Sequence, residues 1–180
     1  MLYRGYVLQG IATVIYHQLR EETQWLHPSY ENPDGRVVHI PRLTANYGER
    51  SYDYSGLTFT PVPWTPLLEQ LKAVAEYLTG ETYNALILQY YRDGSDGVGW
   101  HSDNDPCIAK DPTIVSMSFG ETRGFWFRHT ENKTERLKLE VHSGDVLIMR
   151  GDLQDHYVHK VPKETGKSGR INLTFRKVEG

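Results

Sequence analysis

The part of the chain after residue 84 consists of short strand-like segments with no helix-like pattern between them. Each segment is apolar, β-branched or aromatic and is separated from the next by Gly, Asp, Pro or Lys. The predicted strands cover residues 85–91, 113–119, 125–128, 137–140, 145–149, 156–161 and 171–177. Successive strands of this kind are typical of two packed sheets. We therefore predict a mostly β fold of the α+β class, with a sandwich or jelly-roll core.

The clearest helix in the sequence is predicted over residues 66–79. Thr65 is a suitable N-cap, Pro66 occupies the first helical position and Gly80 follows the last turn. A second, shorter amphipathic helix is predicted over residues 13–24. Both helices precede the predicted strands, so they are expected to flank the core.

The length of 180 residues favours one domain that spans residues 1–180. We expect helices and a variable lobe up to about residue 84, and the β core from about residue 85 to about residue 178. Residues 29–36 have the composition of a turn between two extended pieces.

Composition excludes several classes of protein. The formal net charge of −3 excludes a strongly basic nucleic-acid binder, although it allows a local basic patch. Cys107 is the only cysteine, which excludes an internal disulfide and a cysteine-rich zinc site. No apolar run approaches the roughly 20 residues needed to span a bilayer. The first residues lack a signal-peptide pattern, so we expect a cytoplasmic protein, or a nuclear one in a eukaryote.

His101 and Asp103 are the first candidate metal ligands. Residues i and i+2 of an extended strand point to the same face, so these two side chains can bind one metal. A third ligand from a distant strand would complete the 2-His-1-carboxylate triad of non-haem Fe(II) oxygenases. If His156 and His159 lie on one strand, only one of them can face the metal, and their spacing does not choose between them. The candidates for the third ligand are His129, His142, His156 and His159.

The last predicted strand carries two arginines on one face. Arg170 and Arg176 are six residues apart, with Asn172 and Thr174 between them on the same face. Guanidinium groups bind carboxylates through two parallel hydrogen bonds, so this face is suited to a dicarboxylate co-substrate. The alternative is an exposed edge strand whose charges only face solvent.

Several motifs together closely resemble the AlkB family of Fe(II)/2-oxoglutarate-dependent dioxygenases, which repair alkylated nucleic-acid bases. Residues 89–94 and 101–105 carry the first part of the resemblance, and residues 159–162 and 170–176 carry the second. Upstream, Pro41-Arg42, Tyr47-Gly48 and Tyr52-Asp53-Tyr54-Ser55-Gly56 are similar to the base-recognition lid of that family. The motifs occur in the family order over roughly residues 36–177.

The resemblance implies a double-stranded β-helix (jelly-roll) core with a nucleotide-recognition lid. It selects His159 over His156, so that Fe(II) is held by His101, Asp103 and His159. For 2-oxoglutarate it implies hydrogen bonds from Tyr91 and Asn172, a pairing of Arg170 with the distal carboxylate, and a pairing of Arg176 with the metal-proximal one. Gln89 takes the position of a further co-substrate contact. The implied substrate contacts are Arg42, Tyr52, Tyr54, Ser55 and Asp105.

The resemblance also implies an activity. This is oxidative demethylation of N-alkylated bases such as N1-methyladenine and N3-methylcytosine in DNA, with Fe(II), 2-oxoglutarate and O2, by a monomeric enzyme. The same residues are compatible with an RNA demethylase, and the same core is compatible with a hydroxylase of proteins or small molecules. An inactive nucleic-acid-binding module would not need the triad and the two arginines. A zinc hydrolase would leave the arginine pair without a role.

Two positions depart from the family pattern. Gln89 stands where the family usually has Asn, which keeps the amide on a longer side chain. The turn Pro33-Asp34-Gly35 lacks the apolar finger with which duplex-repairing relatives fill the gap left by a flipped base, so we expect single-stranded substrates to be preferred. The candidates for a basic path along the nucleic-acid backbone are Arg42, Arg123, Arg128, Lys160, Lys163 and Lys167.

Overall fold

The structure is a computed structural model that describes residues 1–49, 52–54, 57–104, 108 and 113–179, with the backbone alone at 52–54 and 57–59. The helices in these residues are α1 (Gln9–Glu22), α2 (Pro66–Thr79) and α3 (Leu153–His156). The strands are β1 (Leu2–Tyr3), β2 (Ser29–Glu31), β3 (Val37–His39), β4 (Leu43–Gly48), β5 (Tyr52–Tyr54), β6 (Leu57–Phe59), β7 (Ala85–Tyr91), β8 (Val98–His101), β9 (Ile114–Gly120), β10 (Arg123–His129), β11 (Arg136–Val141), β12 (Val146–Met149), β13 (Tyr157–Val161) and β14 (Arg170–Arg176). None of the described helices is long and apolar enough to cross a membrane.

Two antiparallel sheets form the body of the protein. The large sheet has the order β1-β12-β9-β14-β7-β4, and the small sheet has the order β11-β10-β13-β8. Aromatic and aliphatic side chains from both sheets meet in one buried cluster, which includes Tyr91, Ile114, Phe125, Met149 and Val161. The mostly β fold with two packed sheets is therefore confirmed.

The two helices of the N-terminal part cover the outer face of the large sheet. Ala12, Ile15 and Leu19 of α1 and Leu68, Leu71 and Ala75 of α2 are buried in the same cluster as the apolar side chains of β9 and β14. Because side chains alternate along a strand, β14 sends its apolar residues to the helices and its polar residues to the space between the sheets. This arrangement places a row of polar groups inside the protein.

The predicted helix over residues 66–79 is confirmed at both ends. The Thr65 hydroxyl accepts a hydrogen bond from the Leu68 amide at 3.3 Å, and Gly80 ends the helix with a φ of 74°. The predicted start of the first helix at residue 13 is wrong, because α1 begins at Gln9. Its N-cap, Leu8, makes no side-chain cap, so the sequence carries no signal for that boundary.

Two strands of the large sheet come from the part of the chain that precedes residue 84. β1 pairs with β12 and β4 pairs with β7, so the core sheet is not built from residues 85–178 alone. The turn predicted over residues 29–36 is shorter in the structure, where residues 32–36 connect β2 to β3. The Asn32 side chain accepts hydrogen bonds from the amides of Asp34 and Arg36 and closes this turn.

Candidate metal centre

The candidate ligands His101, Asp103 and His159 converge at the inner side of the small sheet. His101 ends the edge strand β8 and lies directly opposite His159 on β13, and Asp103 follows two residues after β8. One ligand atom of each residue lies within 4.8 Å of the others. Asp103 and His159 are buried and His101 is half-buried, so the cluster is accessible from the side of His101.

The two imidazoles present their Nε2 atoms to the carboxylate. His101 Nδ1 lies 2.9 Å from the carbonyl oxygen of Gly99, so its donated proton leaves Nε2 available as a ligand. The Nε2 atoms of His101 and His159 lie 4.0 Å and 3.6 Å from the two carboxylate oxygens of Asp103. The His159 ring stacks on Phe125 with 5.1 Å between ring centroids, which fixes its orientation.

The protonation states of the cluster suit a divalent metal, which requires a neutral imidazole and an ionised carboxylate. Burial lowers the pKa of His159 to about 4, so its ring is neutral at physiological pH. Burial alone would raise the pKa of Asp103, but Arg176, His159 and His101 together lower it below its usual value. The donor set therefore fits Fe(II), for which two histidines and one carboxylate are the typical protein ligands.

Arg176 is bonded to the same carboxylate. Its Nη2 atom donates to Asp103 Oδ1 at 2.6 Å, and both side chains are buried. Because Arg176 belongs to β14 and Asp103 follows β8, this ion pair joins the large sheet to the small sheet. The guanidinium of Arg176 therefore lies close to the candidate metal ligands.

Gln154 is a contact of the site that the sequence did not reveal. Its Oε1 atom accepts a hydrogen bond of 2.9 Å from the backbone N–H of Asp103, and its side chain is buried. The residue lies in α3, 51 positions after Asp103, where a strand was predicted to start only at residue 156. A glutamine in a polar segment gives no sequence signal for such a contact.

Three of the candidate co-substrate residues, Gln89, Tyr91 and Asn172, line a cavity at the metal ligands. Tyr91 and Gln89 of β7 lie directly opposite Arg170 and Asn172 of β14. The cavity is lined by Gln89, Tyr91, Asn172 and Thr174 as well as by the three candidate ligands. The seven residues of β14 are all buried, so the alternative of an exposed edge strand is wrong. The strand is central in the sheet, and its polar face points to an internal cavity.

Arg170, whose Cζ atom lies 5.3 Å from the centroid of the Tyr91 ring, has unused hydrogen-bonding capacity. Its Nη2 atom donates to Ser118 Oγ at 2.8 Å, while its buried Nε and Nη1 atoms have no hydrogen-bond partner among the described residues. Burial lowers the pKa of Arg170 to about 10. A buried guanidinium with unsatisfied donors is costly unless an anion binds it, so this position is suited to a carboxylate.

The other co-substrate candidates are already hydrogen-bonded. The Tyr91 hydroxyl donates to Gln89 Oε1 at 2.8 Å, and burial raises the pKa of Tyr91 and keeps it protonated. Asn172 donates to Ser116 Oγ at 2.7 Å and to the carbonyl of Met117 at 2.9 Å. The longer amide of Gln89 therefore reaches the tyrosine of the site.

The predicted substrate contacts are described only in part. Tyr52 and Tyr54 belong to β5, which pairs with β6, but their side chains lie outside the described residues, as do Ser55 and Asp105. Arg42 is half-buried, and its Nη1 atom lies 3.3 Å from the carbonyl oxygen of Gly97, next to β8.

The assignment of Arg123 to a basic surface path is wrong. Its side chain is fully buried and donates to the carbonyls of Asp93, Asp96 and Pro162 and to the carboxylate of Glu164. A guanidinium saturated by internal acceptors is not available to a nucleic acid. Arg123 instead holds the loop before β8 against the loop after β13.

Comparison with known proteins places the chain in a family. The model of the 2OG-Fe(II) oxygenase superfamily matches residues 1–176. The DNA oxidative demethylase ALKBH2 of Mus musculus is 33% identical over 179 residues, which cover 93% of this chain and 75% of that protein. The chain belongs to the AlkB family. The alpha-ketoglutarate-dependent dioxygenase alkB homolog 3 of Homo sapiens is 41% identical over 187 residues, which cover 98% of this chain and 65% of that relative.

Membership of the AlkB family confirms the jelly-roll core. The structure of OsALKBH1 superimposes with a TM-score of 0.67 at 19% identity and covers 98% of this chain and 97% of that one, which supports the fold. The superfamily uses Fe(II), 2-oxoglutarate and O2, so the predicted cofactor set is confirmed. The chain spans about two thirds of the length of the human relative.

Proposed function

We propose that this protein is an Fe(II)/2-oxoglutarate-dependent oxidative demethylase that removes alkyl groups from N-alkylated bases in DNA, such as N1-methyladenine and N3-methylcytosine. The observation that carries the proposal is the convergence of His101, Asp103 and His159 at a cavity that Tyr91 and Asn172 also line. The buried guanidinium of Arg170, which has unsatisfied donors, lies against the Tyr91 ring. The relatives named as a DNA oxidative demethylase and as an alpha-ketoglutarate-dependent dioxygenase support it.

The metal and its co-substrate would supply the oxidising power, and the protein would supply binding and placement. His101, Asp103 and His159 would hold Fe(II). Arg170 would bind the distal carboxylate of 2-oxoglutarate, and Arg176 would add positive charge beside Asp103 for the other carboxylate. The Tyr91 hydroxyl, kept protonated by burial, would turn from Gln89 Oε1 to donate its hydrogen bond to the co-substrate. Gln89 and Asn172 would hold these groups in place.

For the alkylated base we propose a site between His101 and the lid of β5 and β6. Tyr52, Tyr54 and Ser55 would belong to the lid, and Arg42 and Asp105 would complete the contacts. N1-methyladenine and N3-methylcytosine carry a positive charge, so a tyrosine face would favour them by about 0.5–2 kcal/mol through a cation–π interaction. An acidic side chain such as Asp105 would favour the same charge.

The activity is tested with methylated oligomers of single- and double-stranded DNA and RNA, incubated with Fe(II) with or without 2-oxoglutarate. We expect loss of the methyl group in DNA only when 2-oxoglutarate is present, as measured by mass spectrometry. Faster turnover of RNA would favour an RNA demethylase. Consumption of 2-oxoglutarate with a protein or small molecule, and none with any oligomer, would overturn the proposal.

Arg170→Lys is expected to weaken 2-oxoglutarate binding by roughly tenfold to a hundredfold. Loss of a charge-assisted hydrogen bond costs about 1.5–3 kcal/mol, and a lysine cannot reproduce the two-pronged contact. The measurement is the 2-oxoglutarate concentration needed to raise the melting temperature in the presence of Fe(II) without oxygen. Arg20→Lys on the exposed face of α1 is the control. Equal 2-oxoglutarate dependence in both variants would contradict the assignment.

We also propose that the enzyme acts as a monomer and prefers single-stranded substrates. Extraction of a base from a duplex costs a few kcal/mol, and the exposed turn between β2 and β3 has no bulky apolar side chain at its tip to fill the gap. A methyl group in single-stranded DNA should therefore be removed faster than the same group in a duplex. Asp34→Phe should raise the duplex rate selectively, while Glu69→Phe on the exposed face of α2 should not. Equal wild-type rates on both substrates would contradict the preference.

A further inference from the structure

The outer face of the small sheet carries a row in which cations alternate with tryptophan rings. Lys138 Nζ lies 4.4 Å from the centroid of the Trp126 ring, and Lys160 Nζ lies 4.5 Å from the same ring on the neighbouring strand. Lys160 Nζ also lies 4.7 Å from the centroid of Trp100, and Arg128 Cζ lies 4.4 Å from that ring. We call the set Lys138–Trp126–Lys160–Trp100–Arg128 the cation–aromatic row.

The register of the small sheet produces this row. Trp126 of β10 lies directly opposite Lys138 of β11 on one side and Lys160 of β13 on the other. Trp100 precedes His101 on the edge strand β8, so it lies beside Lys160. The row therefore crosses all four strands, and the rings hold the long cationic side chains against a rigid surface.

Within the described residues, the positive charges of the row have no acidic partner. Arg128, Lys138 and Lys160 have no carboxylate within ion-pair distance in the described part of the chain. Arg136 lies directly opposite Arg128 across β10 and β11, an arrangement of like charges that is unfavourable without an anion. Strand alternation puts one acidic residue of β11, Glu140, on the same face as Lys138.

The row lies on the same sheet as the metal ligands. The inner face of the small sheet carries His101 and His159. Their sequence neighbours Trp100 and Lys160 lie on the outer face of the same sheet. The strand β8 is the edge of the sheet, and the half-buried His101 leaves the cluster accessible on that side. A nucleic acid with one nucleotide in the active site could therefore continue around β8 onto the row.

We propose that the cation–aromatic row binds the phosphodiester backbone of single-stranded nucleic acid, on the segment that flanks the base in the active site. This inference rests on the proposed function. The net charge of the chain is −3, so a local row of unpaired cations is the feature that would attract a polyanion. Each neutralised phosphate releases counterions, so binding through the row depends on salt. The rings restrict the lysine side chains before binding and thereby reduce the entropy lost on binding.

The test is the affinity of the full chain for an unmethylated single-stranded DNA oligomer, measured by fluorescence anisotropy at several salt concentrations. The variant K138Q/K160Q removes two charges of the row. Its control is K72Q, at a lysine of α2. Lys72 Nζ also lies over a tryptophan ring, 4.9 Å from the centroid of Trp64, but it is paired with the carboxylate of Glu49. Thermal melting verifies that each variant is folded.

We expect K138Q/K160Q to lose about tenfold in affinity near 0.15 M salt, and the slope of log affinity against log salt to fall by about 1.4. K72Q should change neither quantity. Unchanged affinity and slope in K138Q/K160Q, or no binding of the oligomer by the wild-type chain, would overturn the inference. Tighter binding of polyglutamate or of phosphatidylserine vesicles, with the same lysine dependence, would overturn the choice of partner.

Demethylation is measured separately on the wild-type chain, so the two proposals can fail independently. An active demethylase whose oligomer binding does not depend on Lys138 and Lys160 would overturn the role of the row and leave the proposed function intact. A chain that demethylates no oligomer but binds single strands through these lysines would support the row and overturn the proposed function.

Discussion

His159→Ala is expected to lower Fe(II) affinity by more than about 100-fold and to abolish turnover, whereas His156→Ala should retain both. Loss of a group that only supports a metal ligand already costs tenfold to a hundredfold, so loss of a ligand should cost more. His159 is buried within 3.6 Å of the Asp103 carboxylate. His156 ends α3 with an exposed side chain. The difference in Fe(II) affinity is measured by anaerobic Fe(II) titration in equilibrium dialysis.

His156→Ala also serves as the control for a general effect of histidine removal near β13. His101→Ala and Asp103→Ala should resemble His159→Ala in the same titration, because each would leave two of three ligands. If His156→Ala loses as much Fe(II) affinity as His159→Ala, the choice of His159 as a ligand is wrong.

Arg176→Met is expected to lower the free energy of unfolding of the metal-free protein by about 3–5 kcal/mol. Removal of one partner from a buried ion pair leaves the other charge without compensation. Here the unpaired group would be the Asp103 carboxylate, which is as deeply buried as Arg176. Urea unfolding, monitored by fluorescence, measures the loss in the free energy of unfolding. Arg20→Met is the control, since its ion pair with Glu21 is exposed to solvent and should contribute little to stability.

The double variant Asp103→Asn/Arg176→Met separates the lost ion pair from lost packing. If the ion pair is responsible, the neutral asparagine should recover part of the loss, with a coupling energy of about 0.5–3 kcal/mol between the two positions. The single variant Asp103→Asn completes the comparison. If the loss in the double variant equals the sum of the losses in Asp103→Asn and Arg176→Met, the two side chains do not stabilise one another.

Local signals explain what the sequence could predict. The helix α2 was predicted to the residue because Thr65, Pro66 and Gly80 are all cap or terminus residues. Strand alternation likewise placed Arg170 and Arg176 on one face. The same alternation could not show that this face is internal, because burial of β14 depends on the small sheet that packs over it.

Long-range contacts explain what the sequence could not predict. Gln154 and Arg123 bond to backbone atoms that are 27 to 51 positions away, and no local pattern encodes such partners. The spacing argument for His156 and His159 assumed one continuous strand. In the structure His156 lies in α3 and only His159 lies in β13, so the choice between them depends on a helix boundary that the sequence did not mark.

The candidate metal ligands and the co-substrate residues are anchored to different sheets. His101 and His159 belong to the small sheet, whereas Tyr91 and Arg170 belong to the large one. The position of the candidate metal ligands relative to Arg170 therefore depends on the apolar layer between the sheets, at Phe125 and its neighbours. A change of volume in that layer would shift the residues that would hold Fe(II) relative to the guanidinium that would bind the distal carboxylate, although it would alter none of these side chains.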